Sequence, residues 1–172
     1  MITPNKVAAM AEKKEKENYA FRTFLKNHAD PDKLDAQFLR LHNELFSQYD
    51  CNSCRNCCKE FCGTFENEDI TKGAAKLHMT PETFKAQYLQ YDGEGAYDTN
   101  HTPCDFLQED GSCLLGECKP VNCAEFPFTA RPDRLSSMIN IIGNASVCPV
   151  LFEILERLKG EYGFEFRSNA RW

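Results

Sequence analysis

The chain has 172 residues, ten of them cysteine, with 42% hydrophobic and 27% charged residues and a formal net charge of −6. About 170 residues bury a sizeable apolar core unaided, and the cysteine content stays below the roughly 8–10% of a small secreted disulfide scaffold, so disorder, a fibrous repeat and a knottin-like module fit poorly. The charge is uneven: residues 1–50 balance eight Lys/Arg against eight Asp/Glu, whereas residues 51–128 set six against thirteen. The acidic excess therefore travels with the cysteines, opposite to the basic footprint that a nucleic-acid reader needs.

Met1 to Tyr19 holds no apolar run long enough for a secretory signal, and no stretch of about 18 apolar residues occurs anywhere. The expectation is a cytoplasmic protein without a membrane span. Clustered thiols in such a compartment stay reduced and serve as metal ligands or redox centres. Thr3-Pro4 and Asp30-Pro31 each combine a capping residue with a first-turn proline and predict helix starts. The first helix covers Lys6 to His28, with Glu12–Asn18 as a solvated face. In the second, Leu34, Phe38, Leu41, Leu45 and Tyr49 form one helical stripe that ends just before the first cysteine.

The cysteine-rich run, Cys51 to Cys62, reads as a chelating loop. Beyond it, Ile70, Ala74 and Leu77 predict a short amphipathic helix starting at Glu68-Asp69, and Thr80-Pro81 opens another. A loop marked by Gly93, Gly95 and Pro103 follows. Asp110-Gly111, between Phe106-Leu107 and Cys113-Leu114-Leu115, predicts a hairpin. Pro120 and Pro127 predict an irregular, extended Lys119–Phe128. Arg134–Ile142 reads as a strand, Cys148-Pro149 opens a last helix along Leu151, Ile154, Leu155 and Leu158 that stops near Gly160, and Tyr162, Phe164 and Phe166 alternate as a short strand would.

Soft thiolates select zinc or iron–sulfur centres over hard ions, and two residues between cysteines let a turn aim both sulfurs at one centre. Cys51-x2-Cys54-x2-Cys57 has that spacing, but a zinc ribbon would need a second such pair. Cys104, Cys113, Cys118, Cys123 and Cys148 lie singly and must converge through folding. Adjacent side chains diverge in most conformations, so Cys57 and Cys58 point to two neighbouring centres or to one site with a spare thiol. Ferredoxin spacing is matched only partly. A dithiol redox motif needs a βαβ setting that the preceding helices do not provide. The four histidines do not fall at ligand spacing with the cysteines and read as helix-face or loop residues. No Ser/His/Asp arrangement or phosphate-cradling glycine loop is visible, so catalytic residues stay unassigned.

Together these motifs resemble the YkgJ-type cysteine-cluster family, known for zinc or iron chelation through a C-x2-C-x2-C-C motif. The resemblance runs over roughly residues 50–150 and rests on four blocks: Cys51-Asn-Ser-Cys54-Arg-Asn-Cys57-Cys58; Glu68-Asp69-Ile70 with Thr80-Pro81-Glu82-Thr83-Phe84; Pro103-Cys104-Asp-Phe106-Leu107 with Gly111-Ser-Cys113; and Lys119-Pro120-Val-Asn-Cys123-Ala-Glu-Phe126-Pro127-Phe128. Cys148 supplies the late cysteine. The ligands it implies are Cys51, Cys54, Cys57, Cys58, Cys104, Cys113, Cys123 and Cys148. Lys119 and Ala124 stand where the family has arginines, and Cys62 and Cys118 are extra to the pattern.

The resulting expectation is an α+β fold, a small helix-rich single domain with short strands and a hairpin organised around a cysteine metal cluster. Residues 1–49 would form a helical region packing on the core, 50–150 the chelating domain, and 151–172 its carboxy-terminal helix and tail. The cofactor is zinc or iron, the latter also as an iron–sulfur cluster. The expected partners are a metal ion and a protein, without nucleic acid or membrane. An iron–sulfur enzyme, or a redox or group-transfer component acting on a protein partner, is the alternative; a related cysteine pattern is associated with flagellin lysine methylation.

Overall fold

Proline placed just after a capping residue sets helix starts throughout the computed structural model, which describes residues 1–167. In chain order the elements are α1 (Pro4–His28), α2 (Pro31–Phe46), α3 (Cys51–Cys54), α4 (Asn56–Glu60), β1 (Thr64–Phe65), α5 (Asn67–Lys76), α6 (Pro81–Tyr88), β2 (Leu89–Tyr91), β3 (Tyr97–Thr99), a 3-10 turn (Gly116–Cys118), α7 (Val121–Glu125), α8 (Met138–Asn144) and α9 (Pro149–Glu161). Helices dominate and the strands form one antiparallel sheet of order β1-β3-β2, so the protein is α+β, as the sequence predicts. The chain divides into two compact units, Cys51–Phe126 and the flanking Met1–Asp50 with Pro127–Trp172.

The flanking segments form a helical unit in which α1 packs on α8 and α9, and α2 on α9. Asp30 caps α2 by accepting the Lys33 N–H at 2.9 Å, and the predicted stripe of Leu34, Phe38, Leu41 and Leu45 is buried. Val7, Ala11, Phe21 and Leu25 from α1 and Leu151, Ile154, Leu155 and Leu158 from α9 are buried as well. Burying each large side chain contributes about 1.5–3 kcal/mol, and this burial holds the helices of the unit together.

Three expectations change in this unit. The Glu12–Asn18 face is not simply solvated: Asn18 is 2% exposed, and Lys159, also buried, bridges Glu17 at 2.8 Å and Glu156 at 2.5 Å. Arg134–Ile142 is not a strand. Met138, Ile141 and Ile142 recur at helical spacing and are buried in α8, and that burial overrides the β-preference of isoleucine. The final helix ends at Glu161, near Gly160 as expected. Gly163 then turns the chain with φ of +59°, and Tyr162 and Phe164 pack their rings on Phe21 and Phe24 instead of extending as a strand.

The cysteine unit is built on an aromatic core. Phe65, Phe84 and Phe106 are buried with Ile70, Ala74, Leu89 and Leu115, and the Phe84 and Phe106 rings stack at 5.5 Å. Thr80 caps α6 by accepting the Thr83 N–H. The sheet pairs Thr64 with Asp98 and Phe65 with Tyr97 on one side of β3, and Leu89 with Thr99 on the other. The segment after α6 is thus a hairpin where a loop is expected; the Asp92 carboxylate holds its turn by accepting the N–H groups of Glu94, Gly95 and Ala96. The Asp110-Gly111 turn joins a single antiparallel bridge, Leu107 to Cys113, so the predicted hairpin is present in minimal form. Pro120 does not keep its segment extended. Its carbonyl accepts the N–H groups of Cys123 and Ala124 at 3.0 Å and starts α7, because proline is tolerated in a first turn.

Among the described residues no helix is long and apolar enough to cross a membrane.

Candidate metal centre

The predicted chelating loop is two short helices. Cys51 and Cys54 lie on α3, and Arg55, left-handed at φ of 47°, turns the chain into α4, which carries Cys57 and Cys58. Contrary to the expected divergence, the Cys57 and Cys58 sulfurs approach to 3.9 Å. The Cys58 thiol is lowered to about 6, by its contact with the Cys57 thiol first, with the Arg55 and Lys119 charges assisting against burial.

Two further segments are tied to this pair. The Cys104 N–H donates to the Cys58 carbonyl at 2.8 Å, which fixes the strand-like entry to the Cys113 turn beside α4. Gly111 closes that turn so near to α3 that an added methyl would lie 2.6 Å from the Asn52 carbonyl oxygen. Asp69, 5% exposed, accepts the Glu66 N–H at 3.1 Å through one oxygen and the Val121 N–H at 3.2 Å through the other. It thereby joins the start of α5 to the start of α7, and α7 carries Cys123. The Cys123 sulfur in turn sits 3.5 Å from where a side chain on Gly63 would begin.

These ties bring Cys58, Cys104, Cys113 and Cys123 within electrostatic reach of one another. Although Cys123 is exposed as a residue, its thiol is pushed up to about 12, by desolvation of the sulfur first and then by the Cys104, Cys58 and Cys113 charges. Cys104 is raised by burial first, with Cys58 and Cys113 adding to it. Neighbouring thiolate charge opposes ionisation of Cys104 and Cys123, and a soft cation would offset that charge, so the donor types fit a thiolate-bound metal. Among the described residues, no group of three or more His, Cys, Asp or Glu side chains is already arranged to hold an ion. All ten cysteines carry their sulfurs as thiols rather than in disulfides.

The remaining cysteines stand as follows. Cys62 is exposed and its sulfur lies 3.2 Å from the Thr102 hydroxyl. Cys118 ends the 3-10 turn. Cys148, in the helical unit, is buried and caps α9 by accepting the Leu151 N–H at 3.5 Å. The histidines have other contacts: His42 meets the Thr129 hydroxyl at 2.8 Å, His101 meets the Asp105 carboxylate at 2.6 Å, and His28 packs on Phe24. Sequence reasoning missed Arg55 as the cation beside Cys58. Its position between the two cysteine pairs was the available signal, but the left-handed turn that aims it has no glycine to announce it.

A helix-rich α+β protein with thiols gathered from separate segments defines a cysteine-cluster metal protein. A family model described as CxxCxxCC, putative zinc- or iron-chelating domain, matches residues 50–149, and the chain belongs to that family. No curated protein and no solved structure matches the chain.

Proposed function

We propose that the cysteine unit chelates zinc through cysteine thiolates. The observation that supports this reading is the electrostatic proximity of Cys58, Cys104 and Cys113 to Cys123, four thiols from separate stretches of one compact unit. Zinc needs only four such ligands and no inorganic sulfide. When bound, it supplies folding free energy by cross-linking segments that the short helices alone hold loosely. Cys51, Cys54 and Cys57 provide thiols beyond one four-ligand site, for a neighbouring centre or for exchange, and Cys148 is the eighth family position. Arg55 and Lys119 hold positive charge at Cys58, which favours its thiolate before the ion arrives. Reduced thiols suit the cytoplasm, and the acidic cysteine region suits a protein partner better than nucleic acid.

The test is anaerobic purification followed by a visible spectrum and measurement of zinc, iron and acid-labile sulfide per chain, for the wild type and for C58S, C104S, C113S and C123S. Colourless protein with stoichiometric zinc, lost in these variants, is the expected result. A brown, sulfide-containing protein replaces zinc by an iron–sulfur cluster. Folded, metal-free protein with paired disulfides overturns chelation altogether.

A further inference from the structure

Outside the cysteine unit, residues 127–144 of the helical unit line a half-open cavity of about 190 Å3, with the polar Arg134, Ser137, Asn140 and Asn144 and the apolar Phe128 and Ile141 among its lining. Arg134 is 6% exposed. Its Nε and Nη2 donate to the Pro132 carbonyl at 3.0 and 2.6 Å, and its Nη1 donates to the Phe128 carbonyl. A guanidinium has five N–H groups; these bonds use three, and both acceptors are neutral. The nearby carboxylate of Asp35 is turned to the backbone instead, accepting the Asp133 and Arg134 N–H groups at 2.7 and 2.8 Å. Among the described residues this buried cation therefore retains donors and has no charged hydrogen-bond acceptor, an arrangement that is costly unless something pairs it. In keeping with this, burial pulls the Arg134 pKa down more than Asp35 holds it up.

The rest of the wall is suited to an anion. Asn140 and Asn144 are one helical turn apart on α8, so their amides address the same side, and each amide has two N–H groups to give. Among the described residues no carboxylate lines the cavity. The Arg131 side chain also lines the cavity, its guanidinium 4.6 Å over the Phe128 ring. The volume lies below the roughly 300–1,000 Å3 of pockets for drug-sized ligands, which excludes a nucleotide and leaves room for an ion of a few heavy atoms. A planar guanidinium with free N–H groups matches the oxygens of a phosphate better than it matches a halide.

We propose that this cavity is a binding site for a small phosphate, either the free ion or a short phosphate monoester, held by the Arg134 guanidinium and the amides of Asn140 and Asn144. The site lies in the helical unit and is independent of the metal reading. The experiment is isothermal titration of the purified, metal-containing protein with inorganic phosphate, glycerol phosphate, acetate and chloride at matched ionic strength. Saturable one-site binding of inorganic phosphate is expected, without binding of chloride. Tighter binding of glycerol phosphate identifies the ester as the ligand, and equal or weaker binding identifies the free ion.

N140A/N144A and R134K, which keeps the charge but loses the fork, should each weaken phosphate about tenfold. Asn140 is exposed, so N140A alone carries the comparison if the double variant does not fold. Protection of the backbone amides of residues 127–144 from hydrogen exchange on adding phosphate is the second readout. Absence of saturable phosphate binding up to about 10 mM, a range where weak specific sites still register, or unchanged affinity in N140A and R134K, overturns the site and leaves Arg134 as a staple of its own loop.

Discussion

Replacing Gly111 by alanine tests whether the Cys113 turn must press against α3 for the metal centre to form. Two costs are separable. Gly111 has φ of +82°, where an L-residue costs about 1–2 kcal/mol. Its added methyl would also lie 2.6 Å from the Asn52 carbonyl oxygen. Because that atom is backbone, no rotamer change relieves the contact, and overpacking of this kind costs about 1–3 kcal/mol. Gly93 is the control, since its φ of +88° is similar but nothing lies within 4 Å of the corresponding methyl. G93A should show the conformational cost alone. G111A should be destabilised by about 1–3 kcal/mol more, and if the turn swings off α3 to relieve the contact, zinc affinity falls about 10- to 100-fold. Urea denaturation gives the first quantity, and zinc competition with a chromophoric chelator gives the second. Equal behaviour of G111A and G93A in both assays would refute the argument that this close approach matters.

Three further outcomes follow from the packing and the charges. G73A gains about 1 kcal/mol of helix propensity, but its methyl would meet the buried Phe84 ring at 2.9 Å, so a net loss of about 1–2 kcal/mol in urea denaturation is expected; a stabilised variant would show that the ring yields. D69A strands the Glu66 and Val121 N–H groups and should cost about 2–4 kcal/mol, D69N recovering part of it through its remaining oxygen; a D69A protein as stable as the wild type contradicts the role given to Asp69. The helical unit should lose stability in acid. His42 is lowered by burial. For Glu17 burial acts upward, but the hydrogen bonds from Lys14 and Lys159 outweigh it and lower the carboxyl. In both cases the unfolded chain takes the proton first as pH falls, so stability is full above the ordinary histidine range, declines through it and falls again through the ordinary glutamate range. E17Q should therefore be about 1–2 kcal/mol less stable than the wild type at about pH 7, since Lys159 keeps Glu156, and nearly equal to it at about pH 3; a difference independent of pH denies the ionic role of Glu17.

Local signals proved reliable where the physics is local. Asp30-Pro31 and Thr80-Pro81 start helices because a cap and a fixed proline φ act within one turn, and the Leu34–Leu45 stripe is buried as its spacing predicts. The misreadings come where propensity and packing compete. Residues 134–142 are rich in isoleucine and serine and favour a strand by type, yet Met138, Ile141 and Ile142 have helical spacing and α1 offers them an apolar face. Pro120 suggested an extended segment, but a proline at the entrance of a helix is equally compatible with its fixed φ, and Asp69 supplies an acceptor for the N–H next to it.

The sequence by itself determined the class of chemistry, since the number and order of soft thiol ligands are properties of the chain and are read without coordinates. It also determined the family, through ordered motifs from Cys51 to Cys148. Only the tertiary structure decided which thiols lie within electrostatic reach of one another. Cys58, Cys104, Cys113 and Cys123 are separated by up to 65 positions and come together through the Cys58–Cys104 backbone bond, the Gly111 contact and the buried Asp69. It likewise decided that Arg134 is buried without a charged hydrogen-bond acceptor among the described residues, because a cation's partners depend on distance in space, which spacing along a chain does not encode.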